Sequence, residues 1–108
     1  MSQKMKFDKD EFAKTPLWFE LLITVCRWDS ALEHKAEETQ GILITDQDRK
    51  RCEAWSRISR HCEDKFRLFE QMFEQFYDMK IYFVRDADCY GVCNEDRSVW
   101  IVKGWREE

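Results

Sequence analysis

Glycine and proline are almost missing from this chain, three Gly and one Pro in 108 residues. So few breakers imply long uninterrupted elements, and three glycines are too few to build a nucleotide cradle. No apolar run approaches the roughly 20 residues that span a bilayer, which argues against a membrane partner. The first twelve residues carry no secretory apolar stretch either. Neither sign of charge dominates. The net charge is −4 with both signs interspersed, which argues against nucleic acid or an anionic membrane. GxSxG, HExxH and glycine-rich phosphate loops are all missing. Five cysteines, an odd number without an export signal, read as reduced thiols and not as a disulfide framework. The expected location is the cytoplasm, of a bacterium or of a virus-infected host cell.

What the chain does have is rings and a helical period. Sixteen residues are aromatic. Cys52, Trp55, Ser59, Cys62, Phe66, Phe69, Phe73 and Phe76 are spaced by alternating threes and fours, one stripe of a long helix. Thr45 can cap that helix, which is expected to end near Met79. Upstream, Asp8 and Glu11 resemble a capping box, and Phe7 and Phe12 fall at the two positions of a hydrophobic staple. They predict a short helix to about Lys14. Thr15 suits an N-cap and Pro16 a first helical position. The helix that follows is apolar nearly all round from Leu17 to Trp28, so it is expected to be covered on more than one side. It turns polar after Leu32 and stops at Gly41. From Lys80 the period becomes two, which predicts strands over 81–85, 89–94 and 98–105.

The predicted fold is α+β, a single compact domain over 1–108. A short N-terminal helix and an antiparallel hairpin of two long helices pack with a C-terminal three-stranded antiparallel β-meander. Folding the hairpin about Ile42 pairs Trp28 with Trp55, Leu22 with Cys62 and Trp18 with Phe66. The meander is expected beside the C-terminal half of the second long helix, where it would cover Phe73 and Phe76.

No constellation for chemistry emerges. Cys52 and Cys62 lie about 15 Å apart along one helix, and Cys89 and Cys93 about 13 Å apart along one strand. Neither pair can grip one ion at metal-ligand distances. His61 and Cys62 point about 100° apart on a helix, and His34 sits in a polar helix end. Asp86 and Asp88 occupy one turn of the meander, Glu95 and Asp96 the other, so their carboxylates cannot converge. Turn chemistry accounts for both clusters. The basic residues from Arg49 to Arg67 are interleaved with acids and read as a salt-bridged solvent face. The expectation is therefore no cofactor, no metal and no catalysis.

Surplus apolar surface remains. Strand parity places Ile81, Phe83, Val99 and Ile101 on one sheet face, and Tyr82, Val84, Trp100 and Val102 on the other, with Trp105 as a further large ring. A half-solvated sheet normally shows polar residues on one side. Either a helix covers the second face or a partner does. Ile42, Leu43 and Ile44 form another apolar patch between polar helix ends. The expected partner-binding residues are Tyr82, Trp100, Trp105, Ile42, Leu43 and Ile44. The function these residues fit is a small cytosolic module that occupies another protein's surface, as an inhibitor, an immunity or antitoxin-like protein, or a phage-encoded anti-defence protein. The alternatives are a homodimer or larger assembly built through the long helix or the Ile42–Ile44 tip, and an enzyme or metal protein with a dispersed Cys/His site.

Overall fold

The computed structural model describes residues 6–39 and 46–106, in three helices and a three-stranded antiparallel sheet. The helices are α1 (Lys9–Ala13), α2 (Pro16–Thr39) and α3 (Asp46–Tyr77), and the strands are β1 (Tyr82–Arg85), β2 (Cys89–Cys93) and β3 (Trp100–Trp105). The sheet order is β1-β2-β3, a simple meander. Gly41, Thr45 and the Ile42–Ile44 triplet lie outside the described residues.

The first turn carries the expected cap at Asp8, while the Glu11 carboxylate takes Lys14 at 3.5 Å. Asp8 Oδ1 accepts the backbone N–H groups of Asp10 and Glu11, at 3.0 and 3.3 Å, which satisfies two donors a helix start leaves open. The Phe7 and Phe12 rings meet at 5.7 Å and form the staple. Thr15 behaves differently from the expected cap of α2. Its hydroxyl donates back to the Phe12 carbonyl at 2.6 Å, closing α1 instead. Pro16 does open α2.

α2 and α3 run antiparallel. Glu20 bonds Lys65 at 2.8 Å near one end, and the His34 and Trp55 rings stack at 4.3 Å near the other. The helical stripe is buried at Cys62, Phe66, Phe69 and Phe73 and only half-buried at Cys52, Trp55 and Ser59. Phe76, expected under the sheet, is 50% exposed. Two further expectations fail for one reason. The sheet packs mainly against α2, not beside the end of α3, so α2 is the middle layer. Trp28 therefore turns from Trp55 to stack on Phe83 of β1 at 4.3 Å, while still touching Phe66 at 5.5 Å. Trp18 likewise reaches the sheet, donating its indole N–H to the Ile101 carbonyl at 3.1 Å. The nearly all-round apolar surface of α2 thus has α3 on one side and the sheet on the other. α3 ends at Tyr77, where Asp78 takes a left-handed conformation (φ 52°) and turns the chain toward β1.

A buried-edge clamp ties the sheet to α2. Asp29 Oδ1 accepts from Arg85 Nε at 2.8 Å and from Arg106 Nη2 at 2.7 Å. Glu33 Oε1 takes a second nitrogen of each guanidinium, at 2.6 and 2.9 Å. Asp29 is 6% exposed, so these charges are compensated within the fold.

Candidate functional site

The sheet's register decides which rings are free. Tyr82 pairs with Cys93 and Cys93 with Trp100, so these three share one face. Phe83, Val92 and Val102 pair across the opposite face, which rests on α2. In a regular strand Trp100 and Trp105, five residues apart, would point to opposite sides. They do not. The pairing jumps from Val92–Val102 to Cys93–Trp100, a bulge that leaves Ile101 as the extra residue of β3. Parity changes there, so Val102 joins Ile101 in the core at 3% and 1% exposure. The expectation that Val102 shares a face with Tyr82 and Trp100 fails for this reason. The same change sends Lys103 and Trp105 out beside Trp100.

The result is an aromatic surface held together by a cation. Lys103 Nζ sits 4.9 Å from the Trp100 ring centre and 4.5 Å from that of Trp105. Each contact contributes about 0.5–1 kcal/mol at an exposed position. Beneath the rings lie small groups. Gly91 faces Trp100 so closely that a Cβ there would stand 3.2 Å from the ring and would clash with the Val102 carbonyl. Cys89 and Cys93 are buried on this side, and burial pushes the Cys93 thiol above its ordinary pKa. Tyr82 is 42% exposed and Trp105 is 68% exposed. At the rim, Asp96 accepts the Ser98 hydroxyl and backbone N–H, which holds its carboxyl below the usual range.

Of the residues predicted from sequence, Tyr82, Trp100 and Trp105 therefore share one face. Ile42, Leu43 and Ile44 lie outside the described residues. All five cysteines are free thiols, and burial raises the Cys62 thiol as well. No group of three His, Cys, Asp or Glu side chains able to hold a metal occurs among the described residues. Nor does any described helix have the length and apolarity to cross a membrane.

Sequence reasoning missed two features. The Asp29–Glu33–Arg85–Arg106 clamp joins residues 56 and 77 positions apart, and nothing local signals such pairing. It also missed a groove of about 480 Å³ between α2 and α3, floored in part by Ile23, Ile58 and Cys62. Ile58 was the available signal, a large apolar residue inside the stretch read as a charged solvent face.

Compared with known protein families, with curated proteins and with solved structures, the chain matches none.

Proposed function

We propose that this protein is a binding module that acts by occupying a partner protein's surface through the outer sheet face, without catalysis of its own. The carrying observation is the bulge at Ile101. It gathers Trp100, Lys103 and Trp105 beside Tyr82 on the face turned away from α2. Large rigid rings lose little entropy on docking, and Trp and Tyr dominate binding hot spots. Buried glycine and cysteine beneath the rings fix their height, so the surface is pre-organised. An inhibitor, immunity protein or phage anti-defence protein working in a cytoplasm needs nothing more than such a surface. The second reading is a homodimer or larger assembly built through the long helix, whose Ile58, Leu68 and Phe76 are exposed.

The experiment is affinity capture from candidate host cells with the wild-type protein and with a Tyr82→Ala, Trp105→Ala double variant. One specific protein should be retained by the wild type and lost with the variant, at unchanged melting temperature. Capture that survives both substitutions would refute the assignment of this face. Light scattering at roughly tens of micromolar separates this second reading, because a strict monomer excludes it.

A further inference from the structure

We propose that the groove between α2 and α3 is a second docking site, built for an acidic amphipathic helix of a partner protein. It opens on the side of α2 away from the sheet. Residues 18, 25 and 29 of α2 face the sheet, whereas residues 23, 27 and 30 line the groove, about half a helical turn round. It is therefore a separate surface from the Trp and Tyr face, and neither proposal depends on the other.

Its floor is apolar. Ile23 and Ile58 flank it, and Cys62 is 3% exposed beneath them. Thr24 lines it too, but its hydroxyl is spent on the Glu20 carbonyl at 2.7 Å. The rims are cationic on both sides, Arg27 on α2 and Arg57 and Lys65 on α3, with His61 between them and no carboxylate in the lining. The nearest acid on α2, Glu20, is committed to Lys65, and that bond together with Arg27 holds its carboxyl below the usual range. Arg27 and Arg57 make no ion pair among the described residues. In a chain of net charge −4, this is a local excess of positive charge over an apolar trough.

The shape selects the occupant. Beyond the Glu20–Lys65 pair, one turn along each helix, stand Leu17 and Leu68, exposed to 44% and 65%. Along α3 the groove lining runs from Trp55 to Lys65, about 15 Å or roughly ten helical residues, and the two exposed leucines continue it past the ion pair. A ligand with a single anionic head would need one cationic pole, whereas here the cations are spread along both rims. A helix with an apolar stripe flanked by Asp or Glu matches floor and rims together.

The test uses a fluorescein-labelled synthetic helix of about 14 residues, Leu and Ile on one stripe and Glu on both flanks, with a Lys-for-Glu version as control. Anisotropy should show the Glu peptide bound by the wild type, with affinity falling as salt rises. Binding should weaken at least about tenfold in the Arg27→Glu, Arg57→Glu double variant. The Lys peptide should bind the wild type weakly and the double variant better. Trp105→Ala should leave the Glu peptide's affinity unchanged. No binding up to about 1 mM, equal binding of both peptides, or loss on Trp105→Ala would each overturn the assignment. A failure here leaves the sheet-face capture experiment unaffected, so the two proposals fail separately.

Discussion

The two faces of this small sheet carry side chains of similar size and do opposite things. On the inner face Phe83, Val92, Ile101 and Val102 lie against α2, and Val92 is fully buried. On the outer face Tyr82, Trp100 and Trp105 stand over a glycine and two cysteines. Ring content therefore does not distinguish core from surface here. What distinguishes the faces is what lies beyond each one: the inner face meets Trp18 and Trp28 of the middle helix, and the outer face meets a lysine. Substitutions should consequently separate the faces by stability on one side and by binding on the other.

The largest effect is expected deep in the core that the inner face helps to close. Phe73 is fully buried, with the rings of Phe7, Phe12 and Tyr77 at 5.5, 5.2 and 5.3 Å. Phe73→Ala removes the ring and leaves a cavity three neighbours cannot fill. It should cost about 3–5 kcal/mol by denaturant unfolding. A loss below about 1 kcal/mol would mean that α1 and α3 do not close over this position.

Next is the clamp that holds the inner face to α2. Asp29→Ala strips two guanidinium groups of a shared acceptor. Breaking a buried pair costs about 3–5 kcal/mol, and since Arg85 and Arg106 keep 28% and 23% exposure a cost of about 2–3 kcal/mol is expected. Glu33→Ala should cost under about 1 kcal/mol, because the Glu33 side chain is 45% exposed. Equal losses for the two variants would show that Asp29 is not the centre of the clamp.

How much of this was legible in the sequence follows from how local each cause is. Asp8, Phe7 and Phe12 act within one turn, and their pattern can be read directly. The stripe from Cys62 to Phe73 is periodic, so the hairpin and its buried seam could be read as well. The layer order could not. An all-round apolar α2 says that two things cover it, but not that the sheet takes the side of Trp18 and Trp28. The bulge is harder still. Nothing between Trp100 and Trp105 marks Ile101 as an extra residue, and one extra residue exchanges the faces of everything after it. Tyr82 and Trp100 precede the shift and were placed correctly by parity, whereas Val102 follows it and was not. The cationic rim of the α2–α3 groove was hidden by averaging, because Arg67 and Arg51 do pair with nearby acids while Arg57 does not.

A smaller, pH-dependent effect probes the inner face where it meets the clamp. Burial pushes the Tyr90 phenol up to about 12, and the nearby Cys26 thiol and Asp29 carboxylate act in the same direction. Its ring also fills the space where a Cβ on Gly104 would stand. A folded pKa above the unfolded value of 10.0 favours the neutral folded form. That contribution is complete below pH 10 and is lost as pH rises through about 12. The Cys62 and Cys93 thiols, raised from an ordinary value of 9.0, shift stability with the same sign and begin earlier. Melting temperature should therefore fall on the alkaline side, and Tyr90→Phe should flatten the upper part of that fall while leaving the thiol part. Matching profiles for the two proteins would remove the phenol from the account.

The smallest effect on stability, and the sharpest contrast between the faces, belongs to the outer rings. Tyr82 is adjacent in sequence to Phe83 and comparable in size, yet it points away from α2. Trp105 is 68% exposed, with the Lys103 ammonium over its ring. Tyr82→Ala and Trp105→Ala should each change unfolding free energy by no more than about 0.5–1 kcal/mol, as surface positions do. Trp105→Ala should lose in addition only the exposed cation–π contact. A protein that keeps solvated tryptophan at no gain in its own stability keeps it for contact outside the fold. If instead either substitution costs about 2 kcal/mol or more, those rings are part of the core's outer layer. The outer face would then be a second packed surface, and the contrast between the two sides of the sheet would vanish.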